Sequence, residues 1–177
     1  MITMGIDAST TCTGYSIFDG TDLIAYGKLV PNKDLEWRER IQELAPMISN
    51  IIKEYKPTQA YVEDVPLMVG GGTKTLVILG AVQGSILGLM ASNGIKVEFI
   101  GVSKWRSEIG LFTGKRDETT REMMKKSSIE YANEKFGLSL VWKSKASKLN
   151  DDDISDAVNV AWSQIKPKEP RRGLGRK

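Results

Sequence analysis

The sequence of 177 residues contains no histidine and a single cysteine, Cys12. The lack of histidine excludes Ser-His-Asp and Cys-His catalysis, and it excludes imidazole metal sites. One thiol excludes a disulfide framework and a zinc site built from cysteines. If the chain is an enzyme, carboxylates, lysines or hydroxyl groups must carry its chemistry. Carboxylates without histidine or thiol ligands favour a hard ion such as Mg²⁺ or Mn²⁺.

A targeting segment is not expected either. The chain starts with Met1-Ile2-Thr3-Met4 rather than with a basic, apolar leader, so we expect no secretion signal. The longest apolar stretch, residues 73–93, is interrupted by glycines, and we interpret it as too short for a membrane span. We therefore expect a cytoplasmic protein with no membrane partner.

Positive charge is distributed unevenly along the chain. The net charge is +3, yet residues 166–177 alone hold six basic residues and one acidic residue. The remainder therefore carries a small excess of acidic side chains. We interpret residues 1–165 as one folded domain and residues 166–177, rich in proline and glycine, as a basic disordered tail.

Three strands are predicted at the start of the chain. Ile2, Met4 and Ile6 alternate with other residues, and Asp7 follows at the strand's end, before a bend rich in serine and threonine. Asp19-Gly20 is a hairpin signal, and a third apolar run covers residues 23–30. This pattern predicts an antiparallel meander that places a carboxylate at the edge of a sheet.

A second carboxylate is predicted beside the first. A helix over about residues 35–55, with a kink expected at Pro46, leads to a strand at residues 60–65. A strand reached through a crossover helix is parallel to an earlier strand. Its end carries Glu63 or Asp64, and residues 95–100 predict a fifth strand. We expect an α/β fold in which strands one to three are antiparallel and strands four and five are parallel.

The helix predicted over residues 73–93 is mostly apolar, so we interpret it as buried. Gly80, Gly84 and Gly88 recur at every fourth position and form one smooth face. Glycine costs about 1 kcal/mol at each helix position, so this face indicates close packing against the sheet or against a second subunit. We favour the sheet.

The later helices supply more charge. Ser103 is the expected cap of a short helix, and a longer helix is predicted over residues 117–136. The last helix opens with Asp151-Asp152-Asp153, acids that the helix dipole favours there. Asp153 and Asp156 are three residues apart on one helix face, where they repel unless a cation lies between them. With the strand-end acids, they suit two metal ions about 3.5–4 Å apart.

The order of these elements, with Tyr61-Val62-Glu63 on the fourth strand and Ser155-Asp156-Ala157 on the last helix, resembles the RuvC-like Holliday junction resolvases of the RNase H-like fold. The resemblance covers about residues 1–165. It implies a mixed five-stranded sheet flanked by helices, and paired nicking of four-way DNA junctions by a homodimer with two Mg²⁺ ions per active site. The metal-binding catalytic acids that it implies are Asp7, Glu63, Asp153 and Asp156. The compact size and basic tail suit a phage-type member, which would act in the host cell's cytoplasm.

Phosphate contacts are also implied by the resemblance. It places them on Lys104 and on Lys115 or Arg116, and we add Arg171 and Arg172 of the tail. Family members often carry an aromatic residue at the position of Pro66, three residues after the strand-end Glu. Without that aromatic we expect recognition of DNA shape with little sequence preference, and tolerance of three-way junctions and forks. Asp152 remains an alternative to Asp153.

Two other functions fit parts of the sequence. Gly5-Ile6-Asp7, followed by Ser9-Thr10-Thr11 and Gly14, also resembles the first phosphate loop of actin-like ATPases and sugar kinases, which need a second domain. A non-catalytic protein that binds branched DNA through the tail is the third interpretation. Cleavage of branched DNA with Mg²⁺, lost with EDTA, distinguishes the three.

Overall fold

A single five-stranded mixed sheet forms the centre of the computed structural model, which describes residues 1–64, 72–112, 120–144, 147 and 149–167. The strand order is β3-β2-β1-β4-β5. β2 is antiparallel to β1 and β3, whereas β4 is parallel to β1 and β5. The predicted mixed sheet is therefore confirmed. The strands are β1 Ile2–Asp7, β2 Thr13–Asp19, β3 Asp22–Leu29, β4 Gln59–Asp64 and β5 Lys96–Gly101.

Five helices accompany the sheet in the described residues: α1 Trp37–Tyr55, α2 Thr73–Ser92, α3 Val102–Glu108, α4 Arg121–Phe136 and α5 Asp152–Ile165. The expected kink at Pro46 does not interrupt α1. The expected cap at Ser103 is wrong, because α3 begins at Val102 with Gly101 as its N-cap, which places Ser103 inside the helix. Thr120 caps α4 by accepting a hydrogen bond from the backbone N–H of Met123.

Two hydrophobic layers cover the two faces of the sheet, because successive strand side chains point to opposite faces. Met4, Ile6 and Ile17 belong to a layer shared with α1 and α2. Phe18 and Trp105 belong to a second layer, shared with α4 and α5. Helix α5 lies over β1, β2 and β4, so its first turn stands beside the ends of β1 and β4.

Helix α2 is far more exposed than its sequence predicts. Only Val82, Ile86 and Met90 are buried, and a side-chain carbon placed on Gly80, Gly84 or Gly88 meets nothing within 4 Å. The interpretation of a buried helix whose glycines pack on the sheet is therefore wrong. By length and composition, α2 is the one helix in the described part of the chain that could cross a membrane, so the expectation that it is too short was also wrong. A single such helix is weak evidence for a span.

Candidate functional site

Asp7 and Glu63 lie side by side, on the face of the sheet that α5 covers. Asp7 shares this face with Gly5, where an added Cβ would lie 2.1 Å from the carbonyl oxygen of Ala157 in α5. Glu63 shares it with Tyr61, which packs in the α5 layer. The parallel register pairs Ile6 with Val62, so the next residue of each strand is the carboxylate. Alternation therefore selects Glu63 over Asp64 for this face.

Helix α5 brings Asp156 to the same place. Asp156 is 6% exposed, and its Oδ1 accepts hydrogen bonds from Arg106 Nη2, at 3.2 Å, and from Ser128 Oγ. The position is rigid because α5 docks closely on the sheet, with Ser16 Oγ donating to the Ala157 carbonyl oxygen at 2.9 Å. Asp156 is thus anchored from α3 and α4 as well as by its own helix.

The neighbouring acids of α5 have different partners. Asp152 forms an ion pair with Lys125 of α4, and Asp151 pairs with Lys28 at 2.9 Å. Asp153 lies near Cys12, and burial, followed by the influence of the Asp153 carboxylate, raises the pKa of the Cys12 thiol to about 12. Asp153 and Asp156, which we predicted to share one face, therefore contact different parts of the protein.

The acids of the site are coupled electrostatically. The pKa of Asp7 is raised well above its ordinary value, first by burial and then by the charges of Glu63, Asp156 and Asp153. Burial, followed by the charge of Asp156, raises the pKa of Glu63 to about 8. Lys125 lowers the pKa of both residues only in part. The site therefore concentrates more negative charge than its basic residues offset.

The acids of this site are candidate ligands of a divalent metal ion. The donors are all carboxylate oxygens, the ligands that Mg²⁺ and Mn²⁺ prefer, and a divalent cation would relieve their repulsion. Within the described ranges, however, no group of three or more acidic or cysteine side chains is arranged to hold an ion. The donor chemistry and the charge of the site nevertheless fit a divalent metal.

A cleft of about 540 Å³ opens over these acids. Asp7, Glu63 and Asp156 line it together with three basic residues that the sequence analysis did not single out: Arg106, Arg121 and Lys125. Lys125 and Ser128 are three residues apart on α4 and reach Asp152 and Asp156, which are four apart on α5. The spacing of these residues on the two helices is visible in the sequence and could have suggested their contacts. No sequence pattern near Arg106 indicates that it pairs with Asp156, fifty residues later.

The predicted DNA contacts are mostly untested by the structure. Lys104 is exposed on α3 and is not among the described residues that line the cleft. Lys115, Arg116, Arg171 and Arg172 lie outside the described residues, as does Pro66. They stay predictions.

The bend after Asp7 is stabilised by its own hydroxyl groups. Ser9 Oγ accepts hydrogen bonds from the backbone N–H groups of Thr11 and Cys12, at 3.2 and 3.1 Å, and donates to the Cys12 carbonyl oxygen at 2.8 Å. A phosphate loop needs such N–H groups free to bind its anion. The N–H groups of Thr11 and Cys12 already donate to Ser9 and are not free for an anion, which disfavours the ATPase interpretation.

Comparison with known proteins shows similarity to crossover junction endodeoxyribonucleases. The chain is 27% identical, over 181 residues, to the crossover junction endodeoxyribonuclease RuvC of Fusobacterium nucleatum, covering 99% of this chain and 86% of that protein. It is 25% identical to the protein of the same name from Brachyspira hyodysenteriae, covering 91% of each chain.

Solved structures agree on the fold. The Thermus thermophilus RuvC in complex with a Holliday junction matches with a TM-score of 0.69 and 14% identity, over 92% of both chains. The fowlpox virus resolvase, also in complex with Holliday junction DNA, matches with a TM-score of 0.59 and 18% identity, over 93% of this chain and 97% of that one. The predicted kinship with RuvC-type resolvases and the RNase H-like fold are both confirmed. A family model also matches residues 2–163, which include every strand and nearly all of α5, so this chain belongs to the family described as the Lactococcus phage M3 protein.

Proposed function

We propose that this chain is a metal-dependent endonuclease that cuts phosphodiester bonds in branched DNA, including the Holliday junctions for which its relatives are named. The observation that carries the proposal is the group of Asp7, Glu63 and Asp156, which line an open cleft, with Asp153 close enough for its charge to raise the pKa of Asp7. A fold alone does not specify activity. Repelling carboxylates at a cleft floor cost stability, and they are expected where a cation is to be bound.

The proposed cofactor is Mg²⁺, with Mn²⁺ as a substitute and two ions per site. Asp7, Glu63, Asp153 and Asp156 would hold the metal, which supplies an activated water and stabilises the leaving oxygen when bound. Asp7 is central in this assignment because its pKa responds to all three other acids. Arg121 and Lys125 line the same cleft and are placed to offset phosphate charge.

Asp7→Asn tests the nuclease assignment. Labelled four-way junctions, three-way junctions, forks and linear duplex are incubated with Mg²⁺ or with EDTA. We expect Asp7→Asn to lose cleavage by at least about 10³-fold, or about 4 kcal/mol, while junction binding in a gel-shift assay persists. Asp22→Asn, at an exposed carboxylate of β3, should cut normally. Undiminished cleavage by Asp7→Asn would refute the assignment, and binding without any cleavage by the wild type would favour the non-catalytic interpretation.

The DNA contacts proposed outside the cleft are Lys104, Lys115, Arg116, Arg171 and Arg172. A chain that ends at residue 165 loses six basic residues, so its binding should weaken and its salt dependence should flatten because fewer counterions are released. Its melting temperature should fall only slightly, since the tail has almost no apolar residues to bury and the described side-chain contact that it loses is that of Lys166 with the Glu108 carbonyl oxygen. An unchanged salt slope would contradict this role.

The proposed assembly is a homodimer with α2 at its interface. Val77 is 57% exposed and Leu87 46% exposed, and the open glycine face between them allows a second helix to approach closely. A second copy of the chain suits this surface because paired nicks need two active sites related by a two-fold axis. The family name refers to a phage protein, so we propose that the dimer acts in the cytoplasm of a bacterial host.

A further inference from the structure

Helix α3 contacts two of the site acids through consecutive residues. Trp105 is fully buried and Arg106 is 3% exposed. Trp105 Nε1 donates a hydrogen bond to Glu63 Oε2 at 2.9 Å. Arg106 Nη2 donates to Asp156 Oδ1 at 3.2 Å. One short helix therefore holds an acid from β4 and an acid from α5.

The two side chains also hold each other in place. The Arg106 guanidinium lies over the Trp105 ring, with 4.4 Å between its central carbon and the ring centroid. Arg106 Nη1 donates to the Met124 carbonyl oxygen at 2.7 Å, which connects the pair to α4. A planar guanidinium can make the carboxylate contact, the carbonyl contact and the ring contact together, and a lysine cannot.

These hydrogen bonds engage one carboxylate oxygen of each acid and leave the other oxygen without a hydrogen bond from the described residues. The hydrogen bonds reach Glu63 Oε2 and Asp156 Oδ1. Among the described residues, no donor reaches Glu63 Oε1 or Asp156 Oδ2. Partners that orient a ligating carboxylate in this way commonly change metal affinity by 10- to 100-fold when they are removed.

We propose that Trp105 and Arg106 are positioning residues that hold Glu63 and Asp156 so that the second oxygen of each carboxylate is available to a divalent metal. This inference rests on the proposed function. Trp105→Phe keeps a buried aromatic ring but removes the donor to Glu63. Arg106→Lys keeps the charge but cannot make all three contacts. Trp162→Phe is the matched control, because Trp162 is also buried and its Nε1 donates to the Tyr131 hydroxyl rather than to one of the site acids.

The primary measurement is Mn²⁺ binding to the DNA-free protein by calorimetry, supported by the Mg²⁺ concentration that gives half-maximal cleavage. We expect both Trp105→Phe and Arg106→Lys to weaken Mn²⁺ binding by about tenfold or more and to need correspondingly more Mg²⁺, with cleavage recovering at high Mg²⁺. Trp162→Phe should lower the melting temperature without changing metal affinity.

The possible outcomes separate the two claims. If the wild type binds Mn²⁺, Asp7→Asn does not, and both α3 variants bind within twofold of the wild type, the residues are structural and the inference is overturned. If one α3 variant does not fold, the other decides by the same criterion. If the wild type binds no Mn²⁺ and needs no metal for cleavage, the proposed function fails, and the inference fails with it.

Discussion

Helices α5 and α2 are opposites in composition and in surroundings. Helix α5 begins with two aspartates and contains a third aspartate, a serine and an asparagine within its first eight residues, yet nearly all of it is buried. Helix α2 is apolar over most of its length and has one charged residue, Lys74, yet only Val82, Ile86 and Met90 are buried. The more polar helix is in the centre of the protein, and the more apolar helix is on its surface.

The difference shows that burial follows partners rather than hydropathy. Most buried polar groups of α5 have partners within the protein: Asn159 Nδ2 donates to the Ser128 carbonyl oxygen at 2.9 Å, and Asp156 is paired with Arg106. Asn159 Oδ1 is an exception, because it is buried and accepts no hydrogen bond from the described residues. Buried polar groups are tolerated when they are paired in this way. Helix α2 has few partners within the described chain, which is why we propose a second copy of the chain against it.

The strongest test of the comparison changes a glycine under α5. In Gly5→Ala the new Cβ would lie 2.1 Å from the Ala157 carbonyl oxygen and 2.8 Å from the Ala161 Cβ. Because both obstacles belong to a packed helix, we expect a loss of about 3 kcal/mol or more in the free energy of unfolding, measured by urea denaturation. A loss below about 1 kcal/mol would mean that α5 is not docked as described.

The second test uses pH, because Glu63 and Asp156, whose pKa values are raised, lie on the side of the sheet that α5 covers. The pKa of Glu63 is raised from 4.5 to about 8, so the folded state holds its proton more tightly than the unfolded state. Without metal, stability should therefore fall as the pH rises from about 4.5 to 8. Glu63→Gln removes this loss, and at pH 8 in EDTA we expect it to be more stable than the wild type by on the order of 2 kcal/mol.

Thermal unfolding of the wild type and Glu63→Gln at pH 5 and pH 8 checks this expectation. The gain should be larger at pH 8 and should shrink when Mn²⁺ is added, since metal binding stabilises only the wild-type site. Glu130→Gln, at an exposed carboxylate of α4, is the control. An equal gain at both pH values would show that Glu63 carries no buried charge.

The third test adds bulk to the open face of α2. Gly84→Leu should weaken a dimer that packs through the glycines by at least about tenfold, or about 1.4 kcal/mol, in sedimentation analysis. Glu130→Leu adds the same side chain to an exposed position of α4 and should leave the assembly unchanged. A wild type that remains monomeric with and without junction DNA would contradict the dimer, and in that case binding to lipid vesicles would favour a membrane role for α2.

The smallest effect is expected from Gly84→Ala. A Cβ at Gly84 meets nothing within 4 Å, and alanine is preferred to glycine inside a helix by up to about 1 kcal/mol. At concentrations where the chain is monomeric, the variant should unfold at a slightly higher temperature than the wild type in a scanning calorimeter. Destabilisation there would mean that the glycine face already packs against this same chain.

The sequence alone determined the features that depend on local periodicity. Alternation along β1 predicted Asp7 at the end of a strand, and the crossover helix predicted a parallel β4 that brings Glu63 or Asp64 beside it. The lack of histidine indicated carboxylate chemistry, and the order of the acids indicated kinship with junction-cleaving endonucleases. The predictions about the strands succeed because strand period and crossover handedness are properties of the backbone.

Only the tertiary structure decided which side chains meet. The pairing of Arg106 with Asp156, the separate neighbours of Asp152 and Asp153, and the open face of α2 all depend on residues far apart in the chain. Helix spacing states which residues share a face, but it does not state what that face contacts. For this protein the apolar pattern of α2 predicted that the helix is buried. In the structure, α1 covers that side of the sheet and α2 contributes only three buried residues to the same layer.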